Sequence, residues 1–539
     1  MNLTQRPSTQ SQQPADIPLW LLFPLFFAAV YLTHLTLMRL PYYWDEAGYY
    51  IPAAWDLFRT GTLIPQSTVS NAHPPLPSIL LAGWWHLSGY VVSGTRTFVC
   101  MITACALVAV YNLSQKLSNN VAAAVTTLLT AIYPVWFAQS TLAHADIFAA
   151  AFTLWALAAY LDPNSSNISR HRIDVAALFS LAALSKETAI VTPLALALWE
   201  GIQLLKDREA KRDHLRWTIS LLVPVVPLAA WYAYHYHRTG FAFGNPEFLR
   251  YNATANLSPL RILLSLWHRV LHLTVHMNLF VPVLCAVAAL SIPLTSKDAP
   301  QPAPDSIPKP ALQAIAVVLL ANMLAFSVLG GALLTRYLLP LYPLVFLLCV
   351  STWQRHLRRW WLLAALSAAA LLAGIWINPP YTFAPEDNLA YRDMIVVHQD
   401  AIRVLKQRFP AATVLTAWPA SSELTRPELG YTRTPFHVFT VQDFSLEQIQ
   451  KAAATPGDYD TALLFSTKCD SPPGHLNLGQ LHESADTRYF DYHRDLRPAQ
   501  AAALLHGEIV WQEQRKCEWA AILHFPRIVD ARMTPPRLH

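Results

Sequence analysis

Apolar runs long enough to cross a bilayer recur from Pro18 to Ile377, and no other feature of the sequence constrains the fold as tightly. A helix needs about 20 apolar residues to span the hydrocarbon core. In lipid, every backbone polar group must find its partner within the chain, so such runs specify helices. They lie near 18–40, 96–114, 120–138, 146–161, 172–185, 188–205, 215–236, 274–294, 311–332, 336–353 and 359–377. By length these make about eleven crossings. Charged residues form only 14% of the chain, well below the level of a water-soluble protein, as lipid-facing helices require. The first run is too long for a signal-peptide core and no small-residue cleavage site follows it, so it reads as a retained helix after a polar tail, 1–17.

Sidedness turns on one further run, Leu76 to Val92. As a full crossing it would put Asp45 and Asp146 on opposite sides and the loop with Arg170 and Arg172 outside. As a juxtamembrane or re-entrant segment it gathers the basic loops on the cytoplasmic side, from Lys116 to Arg359, as the positive-inside rule expects. The second reading is adopted. It places Asp45, His73, Asp146, Lys186 and Arg336 at outer helix ends. The net charge of +5 is then a topology signal; without a basic patch interleaved with aromatics, nucleic acid is not an expected partner.

Beyond residue 377 the chain becomes polar and charged. Thr413 to Ala417 and Thr461 to Phe465 read as buried strands. Asp387 to Phe409 has apolar residues at helical spacing. The expected organisation is a cytoplasmic tail (1–17), a membrane domain (18–377) and an extracytoplasmic α/β domain (378–539). Cys469 and Cys517 lie in this last part, where a disulfide and two free thiols both stay open.

Several short motifs interrupt the apolar pattern. Trp44-Asp45-Glu46 sets two carboxylates just beyond the first membrane helix. Asp45 reads either as a helix N-cap or as a base or metal ligand, since a partly buried carboxylate gains proton affinity. His73 precedes Pro74-Pro75 and could donate to a phosphate, or mark a rigid turn. His144-Ala145-Asp146 offers a second acid, again a cap or a partner of Asp45. Lys186 either snorkels or holds a lipid phosphate. Arg336 followed by Tyr337 presents a fork of donors that suits phosphate, or contacts head groups. Arg238, Arg250, Arg261 and Arg269 accompany histidines in one outer stretch and read as an interfacial rim. His268, His272 and His276 share a helix face, but with no clear carboxylate nearby a metal site is not expected there.

In order along the chain stand Trp44-Asp45-Glu46, His73-Pro74-Pro75-Leu76, Gly89 followed by Arg96, Ala143-His144-Ala145-Asp146, Leu184-Ser185-Lys186 and Arg336-Tyr337-Leu338-Leu339-Pro340. This series resembles the protein O-mannosyltransferase and aminoarabinose (lipid A) transferase group of glycosyltransferase superfamily C, over roughly residues 18–377. The resemblance implies a polytopic membrane glycosyltransferase with juxtamembrane helices in its first outer loop. It implies a polyprenyl-monophosphate sugar donor, and a glycan, lipid or protein acceptor on the extracytoplasmic face of a bacterial inner membrane. Asp45 becomes the principal catalytic carboxylate, with Asp146 and Glu46 beside it. Lys186, Arg336, Tyr337, His73 and Arg96 become donor-phosphate residues. Relatives often carry lysine where His73 stands, so a titratable group replaces a permanent charge. One displacement at the anomeric carbon implies inversion. The expected cofactor is none, with a divalent cation at Asp45 and Asp146 as the alternative. Two other readings are a transporter of a lipid-linked substrate, which would favour charges at mid-membrane, and a noncatalytic scaffold, which would survive loss of Asp45.

Overall fold

The computed structural model describes residues 18–162, 168–207, 209–244, 257–293, 307–329, 333–469, 483–490 and 494–525. The expected tail 1–17 and Arg250 lie outside the described residues. Among the described residues, four helices are long and apolar enough to cross a membrane: Val92–Leu117, Glu187–Lys206, Lys211–Thr239 and Lys309–Val328. The pair Pro259–Asn278 and Phe280–Leu290, bent by 101°, is a fifth candidate. These are fewer than the expected crossings. Other apolar runs form shorter helices, Leu19–Thr33, Asn120–Ile132, Ala145–Tyr160 and Trp361–Trp376.

Chain punctuation accounts for part of the difference. Proline lacks an N–H and crowds the preceding turn. Run 120–138 therefore divides, with a new helix starting at Pro134. Run 336–353 starts as a 3-10 turn, Thr335–Leu338, and becomes α-helical only at Tyr342, after Pro340 and just before Pro343. Run 274–294 kinks at Met277, which has a φ of 48°. Run 76–92 divides into helix Leu76–Ser88 and a turn at Gly89, whose φ is +72°. Its 13 residues reach only about 20 Å, too little to cross, at about 1.5 Å per residue. Leu198, Leu205, Leu284 and Leu320 stay more than half exposed on these apolar helices, a surface suited to lipid.

The first loop is short-coupled to its helix. Glu46–Tyr50 forms a π-helical turn that runs straight into helix Ile51–Thr60. Trp44, just before it, has a φ of 44°, uncommon for a bulky residue. The wider turn and the left-handed residue together point the adjacent side chains of Asp45 and Glu46 in different directions.

The C-terminal part is built on a five-stranded sheet ordered β2-β1-β3-β5-β4. Its strands are β1 (Thr413–Ala417), β2 (His437–Val441), β3 (Thr461–Phe465), β4 (Glu508–Arg515) and β5 (Glu518–His524). Strand β1 pairs parallel with β2 and β3, whereas β5 pairs antiparallel with β3 and β4. Strands β1 and β3 fall on the two runs read as strands. The expected helix starts later, as Ala390–Arg408, because Pro385–Asp387 makes its own 3-10 turn and Asn388 is extended. The apolar core of this part also takes in Leu37, Tyr43, Phe137 and Leu142 from the helical part of the chain. The sheet domain is thus packed directly onto the first loop.

Cys469 and Cys517 are joined in a disulfide, with Cα atoms 5.1 Å apart and 48 residues between them in sequence. Closing a loop of that length is worth about 4 kcal/mol through the unfolded chain. Cys517→Ser, or reductant, is therefore expected to lower the unfolding midpoint of the purified protein. Thermal unfolding with and without reductant, beside nonreducing peptide mapping, checks it.

Candidate active site

The site is organised around Arg336, a buried residue in the 3-10 turn Thr335–Leu338. Its guanidinium meets three carboxylates from separate parts of the chain. Nη2 donates to Asp45 Oδ2, Nη1 donates to Glu386 Oε2, and Nε lies 3.4 Å from Asp146 Oδ2. Neither aspartate acts as a cap. Asp45 makes no capping hydrogen bond to the turn that follows it. The N-cap of helix Ala145–Tyr160 is His144, so Asp146 stands inside the first turn. The choice between cap and cleft, open in the sequence, is decided by these contacts. Asp45 is also the most accessible of the three, with its side chain 19% exposed against 2% for Asp146 and 4% for Glu386.

Lys186 completes the cluster. Its Nζ donates to Asp146 Oδ1 at 2.5 Å and lies 4.0 Å from the Tyr337 ring centroid. The Tyr337 ring also faces the guanidinium groups of Arg269 and Arg336, each at 5.9 Å. Arg269 is fully buried, and its partners are the carbonyls of Phe326 and Leu334 and His272 Nδ1. Among the described residues no carboxylate neutralises it. Asp146, Lys186, Arg336 and Tyr337 line a small cleft, with Thr192, Asn322 and Phe326 on its other walls. Its electrostatics suit an anion: cations surround one aromatic ring, and one of them lacks a countercharge.

His73 reaches the rim of this cluster. Its Nδ1 lies 3.0 Å from Glu187 Oε2, next to Lys186, and its ring stacks on Tyr50 at 5.6 Å. His144 is buried beside Arg336, its Nδ1 2.8 Å from Gln139 Oε1. Burial, followed by the charges of Arg336, Lys186 and Arg96, holds its imidazole well below the ordinary range and therefore neutral.

Two expected site residues go elsewhere. Glu46 and Arg96 form a buried pair, Nη1 to Oε1 at 2.6 Å and Nη2 to Oε2 at 3.0 Å. Glu46 also accepts from the backbone N–H groups of Tyr43 and Ala143. Arg96 also donates to the carbonyls of Pro41 and Thr141. The pair ties the first loop to the loop that carries His144. A phosphate would have to displace Glu46 to reach Arg96, and Glu46 is closed to a substrate. In this arrangement both act as braces between the loops, apart from the Arg336 cluster.

Sequence reasoning missed Glu386 and Asp387. No local pattern marks them, because their partners lie far off in sequence. The histidine stripe holds its helical spacing, with ring centroids 6.3 and 5.4 Å apart. A carboxylate does join it: His276 Nε2 sits 2.9 Å from Asp387 Oδ2. Among the described residues, the group of three side chains close enough to share a metal is Cys469, Cys517 and Glu518, where the cysteines are disulfide-bonded. Asp45 and Asp146 do not fit a metal pair in this arrangement, since Arg336 and Lys186 occupy their facing oxygens.

Residues 72–232 match the family described as dolichyl-phosphate-mannose-protein mannosyltransferase. ArnT from Cupriavidus metallidurans, bound to undecaprenyl phosphate, aligns over 93% of this chain and 98% of its own, with a TM-score of 0.55 at 15% identity. The chain shares the fold of this ArnT. The apo form of the same ArnT gives a TM-score of 0.54 at 14% identity, over 93% and 97% of the two chains. The oligosaccharyltransferase of Archaeoglobus fulgidus in complex with zinc and sulfate is more distant, at 0.47 and 11% identity over 83% and 68%. No curated protein matches in sequence. The fold shared with ArnT and the apolar helices among the described residues make this an integral, multi-pass membrane protein.

Two outcomes are expected from these contacts. Glu46→Ala leaves the Arg96 charge buried without its partner and should cost roughly 3–5 kcal/mol; thermal unfolding in detergent measures it. Glu386 titrates near 4.5 when unfolded but is pushed up to about 8 when folded. Burial is the main cause; Arg336 opposes it, and Asp45, Asp387 and Asp146 add to it. The folded state then holds the extra proton, so this stability is full below the unfolded pKa and is lost as pH rises through about 8. Glu386→Gln should flatten the fall in unfolding midpoint between about pH 5 and pH 8.

Proposed function

We propose that this chain transfers a glycosyl unit from a polyprenyl-monophosphate sugar to a glycan, lipid or protein acceptor at the extracytoplasmic membrane face, with inversion. One observation carries the reading: an accessible carboxylate, Asp45, shares the Arg336 guanidinium with the cation-rich cleft of Lys186 and Tyr337. A base and an anion site are thereby set side by side, as a glycosyl phosphate requires. The family match over 72–232 supports this, as does the fold shared with ArnT, which was crystallised with undecaprenyl phosphate.

In this reading the membrane domain, 18–377, holds the donor, and the C-terminal domain, 378–539, roofs the cleft. Lys186, Arg336 and Arg269 receive the donor phosphate, whose charge balances the buried Arg269. His73, held by Glu187, borders the site without carrying the phosphate. A phosphate arriving at Arg336 sets a like charge near Asp45 and raises its proton affinity when a base is needed. Asp45 takes the proton of the acceptor hydroxyl. The hydroxyl oxygen attacks the anomeric carbon from the side opposite the phosphate through an oxocarbenium-like state. The bond to the phosphate oxygen breaks, and the cations stabilise the charge gathering on the departing polyprenyl phosphate. Asp146, buried between Lys186 and Arg336, orients both. No step calls on a metal.

The test is transfer by the purified protein from polyprenyl-phosphate sugars, with donor and acceptor chosen by mass spectrometry of envelope lipids and glycoproteins with and without the gene. Asp45→Asn should lower kcat by roughly 10²–10⁴-fold while the unfolding midpoint is kept. Full activity in that variant, or a product of retained configuration by NMR, would overturn the mechanism.

A further inference from the structure

The chain buries two adjacent acids, Glu386 and Asp387, on the strap between the last apolar helix, Trp361–Trp376, and the sheet domain. Each is only a few per cent exposed. Their targets are also adjacent. Glu386 accepts from the Arg336 guanidinium, while Asp387 Oδ1 accepts from the Thr335 hydroxyl. A dipeptide thus grips a dipeptide, and a slip of one residue on either side would break both contacts.

The grip extends outward. Asp387 Oδ2 meets His276 Nε2 at 2.9 Å, and His276 Nδ1 lies 3.2 Å from the Tyr381 hydroxyl. The Thr335 carbonyl accepts from the Tyr342 hydroxyl at 3.1 Å. The Glu386 carbonyl faces Gln139 Nε2 at 3.4 Å.

Anchoring alone does not explain this arrangement. Leu389, Ala390 and Tyr391, immediately beyond the strap, are already buried in apolar cores. Burying acids is costly, and apolar side chains would hold a strap more cheaply. What acids supply and apolar groups do not is direction. The turn Thr335–Leu338 is a single 3-10 turn with few hydrogen bonds of its own, so outside contacts must fix where Arg336 points.

We propose that Glu386 and Asp387 are positioning residues that aim Arg336 at the donor phosphate, the first through its guanidinium and the second through Thr335, so that the strap into the sheet domain sets the geometry of the phosphate site. This rests on the reading of Arg336 as a phosphate-binding residue. It gives the sheet domain a part in donor binding as well as in covering the cleft.

The experiment compares full-length wild type with Thr335→Val, Thr335→Ser, Asp387→Asn and the Thr335→Val/Asp387→Asn double variant. Undecaprenyl phosphate is the binding probe, read by native mass spectrometry, and donor KM, kcat and unfolding midpoint are measured in parallel. Thr335→Val and Asp387→Asn should each weaken binding and raise donor KM about ten-fold, the worth of one hydrogen bond to a charged group. Thr335→Ser, which keeps the hydroxyl, should match wild type. The double variant should be no worse than the worse single one, because both remove the same contact. Variants with lowered midpoints but unchanged KM, or losses that simply add, overturn the proposal. Should Asp387→Asn not fold, valine against serine at 335 decides alone. If wild type binds and transfers while the variants match it, the positioning role falls and the function stands. If wild type does neither, both fall.

Discussion

Burying a guanidinium is costly unless carboxylates meet it, and the cluster around Arg336 is assembled around that constraint. Arg336 draws Asp45 from the first loop, Asp146 from the start of helix Ala145–Tyr160, and Glu386 from the strap beyond the last apolar helix. None of these elements is near another in sequence. The desolvation cost of each group is offset only if all arrive together. The same contacts set Asp45 against Arg336, beside the cleft that Asp146, Lys186, Arg336 and Tyr337 line.

The charges are sorted by neighbour, not by type. Asp45 and Glu46 are consecutive, yet one enters the cleft and the other braces the loops with Arg96. Glu386 and Asp387 divide in the same way between Arg336 and the Thr335–His276 contacts. Arg269 differs: it is buried and faced by carbonyls, with no carboxylate partner among the described residues, and it shares the Tyr337 ring with Lys186.

Much of the cleft was legible beforehand because its residues interrupt apolar runs. Asp45, Asp146, Lys186, Arg336 and Tyr337 stand out where lipid-facing sequence should contain no polarity, and the structure brings all five together. Glu46 and Arg96 stand out for the same reason, and the sequence could not separate brace from site, since a buried ion pair and a catalytic one look alike before their partners are known. Glu386 and Asp387 were invisible as site residues because acids are ordinary in a polar C-terminal region. In the sheet, β1 and β3 were readable as short, largely apolar strands flanked by turns. Strands β4 and β5 were not, their pattern being set by pairing with each other and with β3.

The sequence by itself determined that the chain carries several apolar helices, that its C-terminal part is more polar, and where the short charged motifs interrupt the apolar runs, because hydropathy and proline act locally. Tertiary structure alone decided which charges meet. Pairing between side chains some 50 to 290 positions apart depends on how helices and sheet pack, and no local pattern records it. It was packing, too, that joined Cys469 to Cys517, bent the chain at Met277, and turned Asp45 from a candidate cap into the exposed acid of a buried cluster.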